Sequence, residues 1–242
     1  MMYLNERIDD LQRGGLRVIQ RADAFRFGTD AVLLADFAAP RRHDRVCDLG
    51  TGTGIIPLLL YARENTISAD AVEIQPDMAD MAARSMAMNG LNEKIRVLPG
   101  DLRSIRTLLP HARYDLVTCN PPYGKAGGTL LNPDASKRLA RHEESCAIED
   151  VACAAAWLLQ NGGRLCCVFP AARMIELSDA MRKYRMAPKR ILMVHSRVEK
   201  AAHLCLMEGM LDARPGLIIE PPLVIYDENN AYTPELRRIY GL

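Results

Sequence analysis

The chain has 242 residues, 49% of them hydrophobic and 25% charged, with a formal net charge of +1, the profile of one large folded domain or one domain with a modest extension. That balance argues against a protein that holds nucleic acid by bulk phosphate attraction, so any such partner must be met by local patches. The longest apolar run, residues 55–62, is too short to span a bilayer, and the acidic start MMYLNERIDD is not a secretory leader, so a cytoplasmic location without membrane contact is expected.

In chain order, residues 16–20 and 25–27 are expected to form a hairpin, followed by a helix over residues 30–38 with Thr29 as its cap and Pro40 as its stop. From Arg45 the pattern alternates. A strand at 46–49 leads through a glycine turn to an apolar helix at 55–63. A strand at 69–74 precedes a helix at 76–89, opened by Pro76 and closed by Asn89-Gly90. Strands at 95–98 and 114–119 follow, then a long polar loop and a helix at 148–159. Asn161-Gly162-Gly163 turns into a strand at 164–169; a helix at 172–184 and strands at 191–196 and 202–211 complete the set. Strands apolar on both faces, alternating with helices, predict an α/β fold: a mostly parallel sheet with helices on both faces. Residues 1–44 read as a small N-terminal extension on a domain spanning 45–242. Trp157 is expected in the core, and Arg182, Lys183, Arg185, Lys189 and Arg190 on a helix surface. The seven cysteines form no Cys-x-x-Cys pair and mostly sit in apolar runs, so reduced core thiols and no metal site are expected.

In such a sheet, ligands gather at the carboxyl ends of the strands. The first of these ends carries Asp48-Leu49-Gly50-Thr51-Gly52-Thr53-Gly54. Alternating glycines let the backbone turn sharply and approach a ligand closely. The spacing departs from G-x-G-x-x-G, which disfavours a hydride-transferring dinucleotide enzyme, and Asp48 suits a cationic neighbour better than a phosphate. Glu73 ends the second strand, where a carboxylate can accept both hydroxyls of a ribose. Asp101 follows the third, within reach of an adenine ring lying across the sheet. Each acid alone could be a helix cap or a solvated turn residue; together, at successive strand ends, they read as a nucleoside site.

These residues resemble the class I, Rossmann-like S-adenosylmethionine methyltransferases. The resemblance implies a seven-stranded sheet with an antiparallel last strand, and S-adenosyl-L-methionine as cofactor. It places the glycine loop, Asp48 with Gly50, Thr51, Gly52 and Gly54, against the methionine part. Glu73 is placed on the ribose, Ile74 and Leu102 beside the adenine, and Asp101 in contact with it.

Asn120-Pro121-Pro122-Tyr123 follows the fourth strand, and has the form found in amino-group methyltransferases. An exocyclic amine is a poor nucleophile because its lone pair is delocalised. The Asn120 side-chain oxygen and the Pro121 carbonyl can hold its two hydrogens, turning the lone pair toward a methyl donor and stabilising charge that grows on nitrogen. Consecutive prolines, Pro121 and Pro122, stiffen the loop, and Tyr123 offers a flat face for a planar acceptor. No general base is needed before transfer, so alignment supplies much of the rate. Asn120 also borders the expected cofactor site.

Across nearly its whole length the chain further resembles the bacterial family that methylates N6 of adenine 37 in valine tRNA. The resembling segments are Gln20 with Phe27-Gly28-Thr29-Asp30-Ala31-Val32-Leu33-Leu34, Asn120-Pro121-Pro122-Tyr123 with Ala140-Arg141-His142-Glu143, and Pro221-Pro222-Leu223-Val224-Ile225-Tyr226 with Tyr232-Thr233-Pro234-Glu235. The resemblance implies tRNA as partner, its anticodon loop in particular, in a protein taken to be a monomer, and brings Thr29 and Asp30 toward the cofactor pocket. The loop at 125–144 is long for this fold and holds Lys137, Arg138, Arg141 and His142, which could engage phosphates around the target base. Protein glutamine methylation uses the same signature but usually with a separate helical domain ahead of the core. An RNA-binding module that kept the fold without activity is opposed by the intact Asp48, Glu73, Asp101 and Asn120 set.

Overall fold

The structure, a computed structural model, describes residues 3, 5–21, 28–122 and 147–242. Its sheet is ordered as the alternation requires. Strands β3 (Arg45–Leu49), β4 (Ser68–Glu73), β5 (Ile95–Pro99), β6 (Tyr114–Cys119) and β7 (Leu159–Pro170) run parallel in the order β5-β4-β3-β6-β7. The sheet continues through β9 (Ala202–Leu211) to β8 (Met186–His195), and β9 is antiparallel to both neighbours. Two additions correct the expected seven strands to nine. The two-residue strands β10 (Ile218–Ile219) and β11 (Leu223–Val224) lie parallel against β8 at the sheet edge; neither is long enough to show a period in sequence.

Helices α1 (Thr29–Ala38), α2 (Ile55–Arg63) and α3 (Pro76–Met88) share one apolar cluster with sheet residues such as Val46 and Leu116. On the other face, Cys47 and Val117 pack with the short α4 (Ile105–Leu108), α5 (Ile148–Leu158) and α6 (Met174–Lys183). Successive residues of one strand thus serve opposite cores, as the pleat dictates. A C-terminal helix, α7 (Pro234–Tyr240), returns against α1, with Thr233 Oγ1 accepting from Leu236 N as its cap. Five of the six described cysteines are buried, and all six are free thiols. Among the described residues, no helix is long and apolar enough to cross a membrane, and no His, Cys, Asp and Glu group is placed to hold a metal ion.

The described residues show an N-terminal hairpin that the sequence pattern did not announce. Strand β2 (Arg17–Arg21) pairs with β1 (Glu6–Asp10), Ile8 opposite Ile19, across a turn through Gly14 and Gly15, both at positive φ. Residues 25–27 lie outside the described residues. Strand β1 was missed because its sequence, ERIDD, has one apolar residue. The hairpin docks on α3: Ile19 N donates to Ser85 Oγ (2.9 Å), Arg17 N donates to Asn89 Oδ1 (2.9 Å), and Arg84 pairs with Glu6. Thr29 is the first helical residue of α1 rather than its cap; Gly28 holds the cap position without a side-chain bond.

Two further expectations are corrected. Trp157 is half-buried at the rim of α5, donating to the Leu109 carbonyl (3.1 Å) with the Arg106 guanidinium 5.0 Å from its ring centre. Of the basic stretch, only Arg182 and Lys183 belong to a helix, with Arg185 just beyond its end. Lys189 and Arg190 lie on β8, where Arg190 covers the Phe37 ring and meets Glu208 and Glu220. Beside it Arg164, buried on β7, donates to the Ala38 carbonyl (3.0 Å) and pairs with Glu208 (3.1 Å) and Asp44 (3.5 Å). That network ties the end of α1 to the sheet.

Candidate active site

The strand order reverses at β3, which has β4 on one side and β6 on the other. In open α/β sheets this switch point leaves a crevice outside the carboxyl ends. Leu49 is in register with Cys119, so the loops beginning at Gly50 and Asn120 leave the sheet side by side. A cavity of about 220 Å³ opens there, lined among others by Gly50, Thr51, Gly52, Thr53 and Asn120. Ile55, Ile56 and Met78 add apolar surface. Gln20, Arg21, Gly28 and Ala31, from β2 and the start of α1, close the opposite wall. The hairpin therefore matters for function because docking on α3 carries Gln20 and Arg21 to the cleft.

The glycine loop is held from below. Gly50 N and Thr51 N both donate to the Val72 carbonyl (2.9 and 3.0 Å), and Gly52 N donates to Glu73 Oε2 (2.8 Å). Gly50 and Gly52 have φ of +70° and +57°, and a β-carbon on either would meet nothing within 4 Å. Both face open space in the cleft. Gly54, φ +83°, differs: a β-carbon there would lie 2.5 Å from Met86 Cε and 3.3 Å from the Ala82 β-carbon. The first two glycines keep a cradle open, and the third lets α2 pack on α3.

Asp48 is fully buried beneath this loop. Its Oδ1 accepts from the Thr118 hydroxyl (2.6 Å), while Oδ2 and the buried Thr51 hydroxyl meet no well-formed hydrogen bond among the described residues. Burial pushes the Asp48 carboxyl up to about 7, opposed by the Thr118 and Thr51 hydroxyls and reinforced by Glu73. A carboxylate in this position favours a cation above the loop. Glu73 is also buried; its Oε1 accepts from Gln75 N (2.8 Å). Its carboxylate thus braces the loop, with lone pairs left on each oxygen for further donors. Ile74, next along, is 44% exposed but does not line the cavity. Asp101 caps the turn Leu102–Ser104, accepting from Arg103 N (2.9 Å) and pairing with the Arg103 side chain, which holds its carboxyl below the usual carboxylate range. Leu102 packs partly into the second core. The Cβ-free cradle and the buried Asp48 carboxyl beneath it fit the sulfonium and ammonium end of S-adenosylmethionine.

Thr29 and Asp30 stand between the lining residues Gly28 and Ala31 but do not themselves line the cavity; Thr29 Oγ1 accepts from the Tyr240 hydroxyl (3.2 Å). Pro121 is buried and Pro122 exposed. Tyr123, Lys137, Arg138, Arg141 and His142 lie outside the described residues. Arg21, Thr53 and Met78 are cleft residues that the sequence reading missed. Thr53 sat inside the motif, whereas the other two come from elements whose docking no local pattern announces.

The family model of the methyltransferase small domain matches residues 22–187. A tRNA1(Val) (adenine(37)-N6)-methyltransferase of Porphyromonas gingivalis is 32% identical over 91% of this chain and 89% of that protein. One from Tolumonas auensis is 34% identical over 88% and 86%. In structure, a predicted O-methyltransferase from Agrobacterium tumefaciens matches 88% of this chain and 96% of its own with a TM-score of 0.73 at 24% identity, a likeness of fold. The chain therefore belongs to the methyltransferase small domain family and to the family of the tRNA1(Val) (adenine(37)-N6)-methyltransferases.

Proposed function

We propose that the chain, an S-adenosylmethionine-dependent methyltransferase, transfers a methyl group to N6 of adenine 37 in the anticodon loop of valine tRNA, acting as a monomer. The observation that carries the reading is the register of β3 and β6, which sets Asn120 beside the glycine cradle in one cavity, together with relatives of that activity spanning most of both chains. S-adenosylmethionine supplies the electrophilic methyl. The protein's task is to hold an amine in line with it. Asn120 Oδ1 and the Pro121 carbonyl accept the two N6 hydrogens and stabilise the charge that develops on nitrogen. Tyr123 stacks on the flipped base, and Lys137, Arg138, Arg141 and His142 hold neighbouring phosphates. Glu73 takes the cofactor ribose; Ile74, Asp101 and Leu102 flank its adenine. Thr29 and Asp30 support the cleft from the first turn of α1. An unpaired loop base is cheaper to extract than a stacked, paired one.

The test uses unmodified valine tRNA and isotopically labelled donor, with nucleoside mass spectrometry as readout. N6-methyladenosine is expected with adenine at position 37 and not when guanine replaces it. Label found only in protein glutamine, or at another nucleotide, would overturn the assignment.

A further inference from the structure

The C-terminal segments singled out in the sequence converge on one feature. Tyr226, Tyr232 and Tyr240 form a ladder, with ring centres 5.5 Å apart at 30° between the first two and 5.7 Å apart at 15° between the last two. Its inner rung is tied to the cleft wall: the Tyr240 hydroxyl donates to Thr29 Oγ1, and Thr29 adjoins the lining residue Gly28. Its outer rung stands at the carboxyl edge of the sheet. Strand β11 runs parallel to β8 with Val224 opposite His195, and Tyr226 N donates to the Ser196 carbonyl just beyond. Asn120 leaves the same edge four strand spacings from β11, about 19 Å.

We propose that this ladder is a second RNA contact, on which an unpaired nucleobase of the substrate loop, other than the target adenine, stacks against the ring of Tyr226. The inference rests on the RNA reading above. The platform is built rather than incidental. An isolated bridge pairs Tyr226 with Tyr232, and the Asp227 carboxylate accepts from Asn229 N (2.8 Å) and Ala231 N (2.9 Å) to fix the turn between them. Yet Tyr226 remains 38% exposed and Tyr232 36%. A cavity of about 340 Å³ adjoins the Tyr226 ring, lined also by Arg197, Asn229 and Thr233. Arg197 is held in place by the Asp227 carbonyl (3.1 Å) and the Asn230 side chain.

Charge decides which part of an RNA belongs here. Arg197 is outnumbered by Glu199, Asp227 and Glu228 in the lining, so the cavity repels phosphate. The same carboxylates, with the Asn229 side chain, suit the amino and imino hydrogens on a base edge. An aromatic face beside hydrogen-bonding side chains is the arrangement by which single-stranded bases are held.

The experiment measures steady-state methylation of valine tRNA in which each unpaired anticodon-loop nucleotide except the target is made abasic in turn. With wild-type protein, one position is expected to raise KM roughly tenfold, the order of one base–aromatic stack, with kcat little changed. Tyr226→Ala should raise KM for intact RNA by a similar factor and respond no further to that abasic site, while Tyr226→Phe behaves as wild type. Cofactor affinity should be the same in all three. Wild-type KM indifferent to every abasic site overturns the inference whether or not the alanine variant folds. So does an undiminished abasic penalty in Tyr226→Ala, because the two losses would then be independent. If intact tRNA is not methylated at all, it is the proposed function that fails.

Discussion

The two halves of the glycine loop are predicted to fail differently. Alanine at Gly52 must adopt a φ near +57°, with nothing within 4 Å of the new β-carbon, so the fold bears only left-handed strain, about 1–2 kcal/mol. Alanine at Gly54 bears the same strain and also meets Met86 and Ala82. Met86 is 1% and Ala82 0% exposed, so neither can retreat into solvent. Overpacking adds about 1–3 kcal/mol, for a total of about 2–5 kcal/mol. Cofactor binding should rank the variants the other way. Gly52 lines the cavity and Gly54 does not, so Gly52→Ala puts a methyl group into the cradle and should weaken S-adenosylmethionine by at least about tenfold, about 1.4 kcal/mol. Gly54→Ala, once folded, should bind within a few-fold of wild type. Urea denaturation without cofactor and titration calorimetry read the two quantities separately. Equal destabilisation by both variants, or unaltered cofactor affinity in Gly52→Ala, would refute the division of labour assigned to the loop.

Asn120→Ala should lower kcat by about 10²–10³, the usual cost of one transition-state hydrogen bond, and leave S-adenosylmethionine affinity within a few-fold; full turnover would remove its role. Asp48, pushed up to about 7 first by burial, keeps in the folded protein a proton that the unfolded chain loses above 3.8. Its contribution to stability therefore falls as pH rises from roughly 4 to 7 and is level above that. The stability of wild type relative to Asp48→Asn should fall across that range, and parallel curves would contradict the assignment. A cation favours the ionised carboxylate, so wild-type cofactor affinity should rise as pH climbs through about 7, with proton release in calorimetry; a flat profile would count against Asp48 as its counter-charge. Arg164→Met leaves Asp44 buried without its ion-pair partner and Glu208 with only the longer contact to Arg190 and should cost about 3–5 kcal/mol; an unchanged urea midpoint would show that the network holds nothing.

The central sheet was legible because its strands are continuous apolar runs between glycine and proline signals. Helix α2 and strands β6 and β9 fall at the expected bounds, and most other core elements within one or two residues. Strands β7 and β8 each begin five residues before the expected start: β7 at Leu159, running through the Asn161-Gly162-Gly163 read as a turn, and β8 at Met186, where Met186–Arg190 mixes basic and apolar residues. What escaped was structure without a period. Strand β1 is polar, β10 and β11 are two residues each, and α7, although announced by Thr233-Pro234, is only seven residues long. In the site, residue types and strand ends sufficed to put Gly50, Gly52 and Asn120 together. The bracing of the loop by Glu73 could not be read, because its donors are backbone amides that every residue but proline carries. The pairing of Asp101 with Arg103 was closer to hand, two residues apart, and makes Asp101 a turn cap as well as a candidate adenine contact.

The account is tested most directly by a crystal structure with S-adenosylhomocysteine and adenosine bound together. It predicts the sulfur over Gly50 and Gly52, and the adenosine N6 facing it with hydrogens directed to Asn120 Oδ1 and the Pro121 carbonyl. An adenine whose amino group points away from Asn120, or a cofactor seated outside the cleft between β3 and β6, would contradict it.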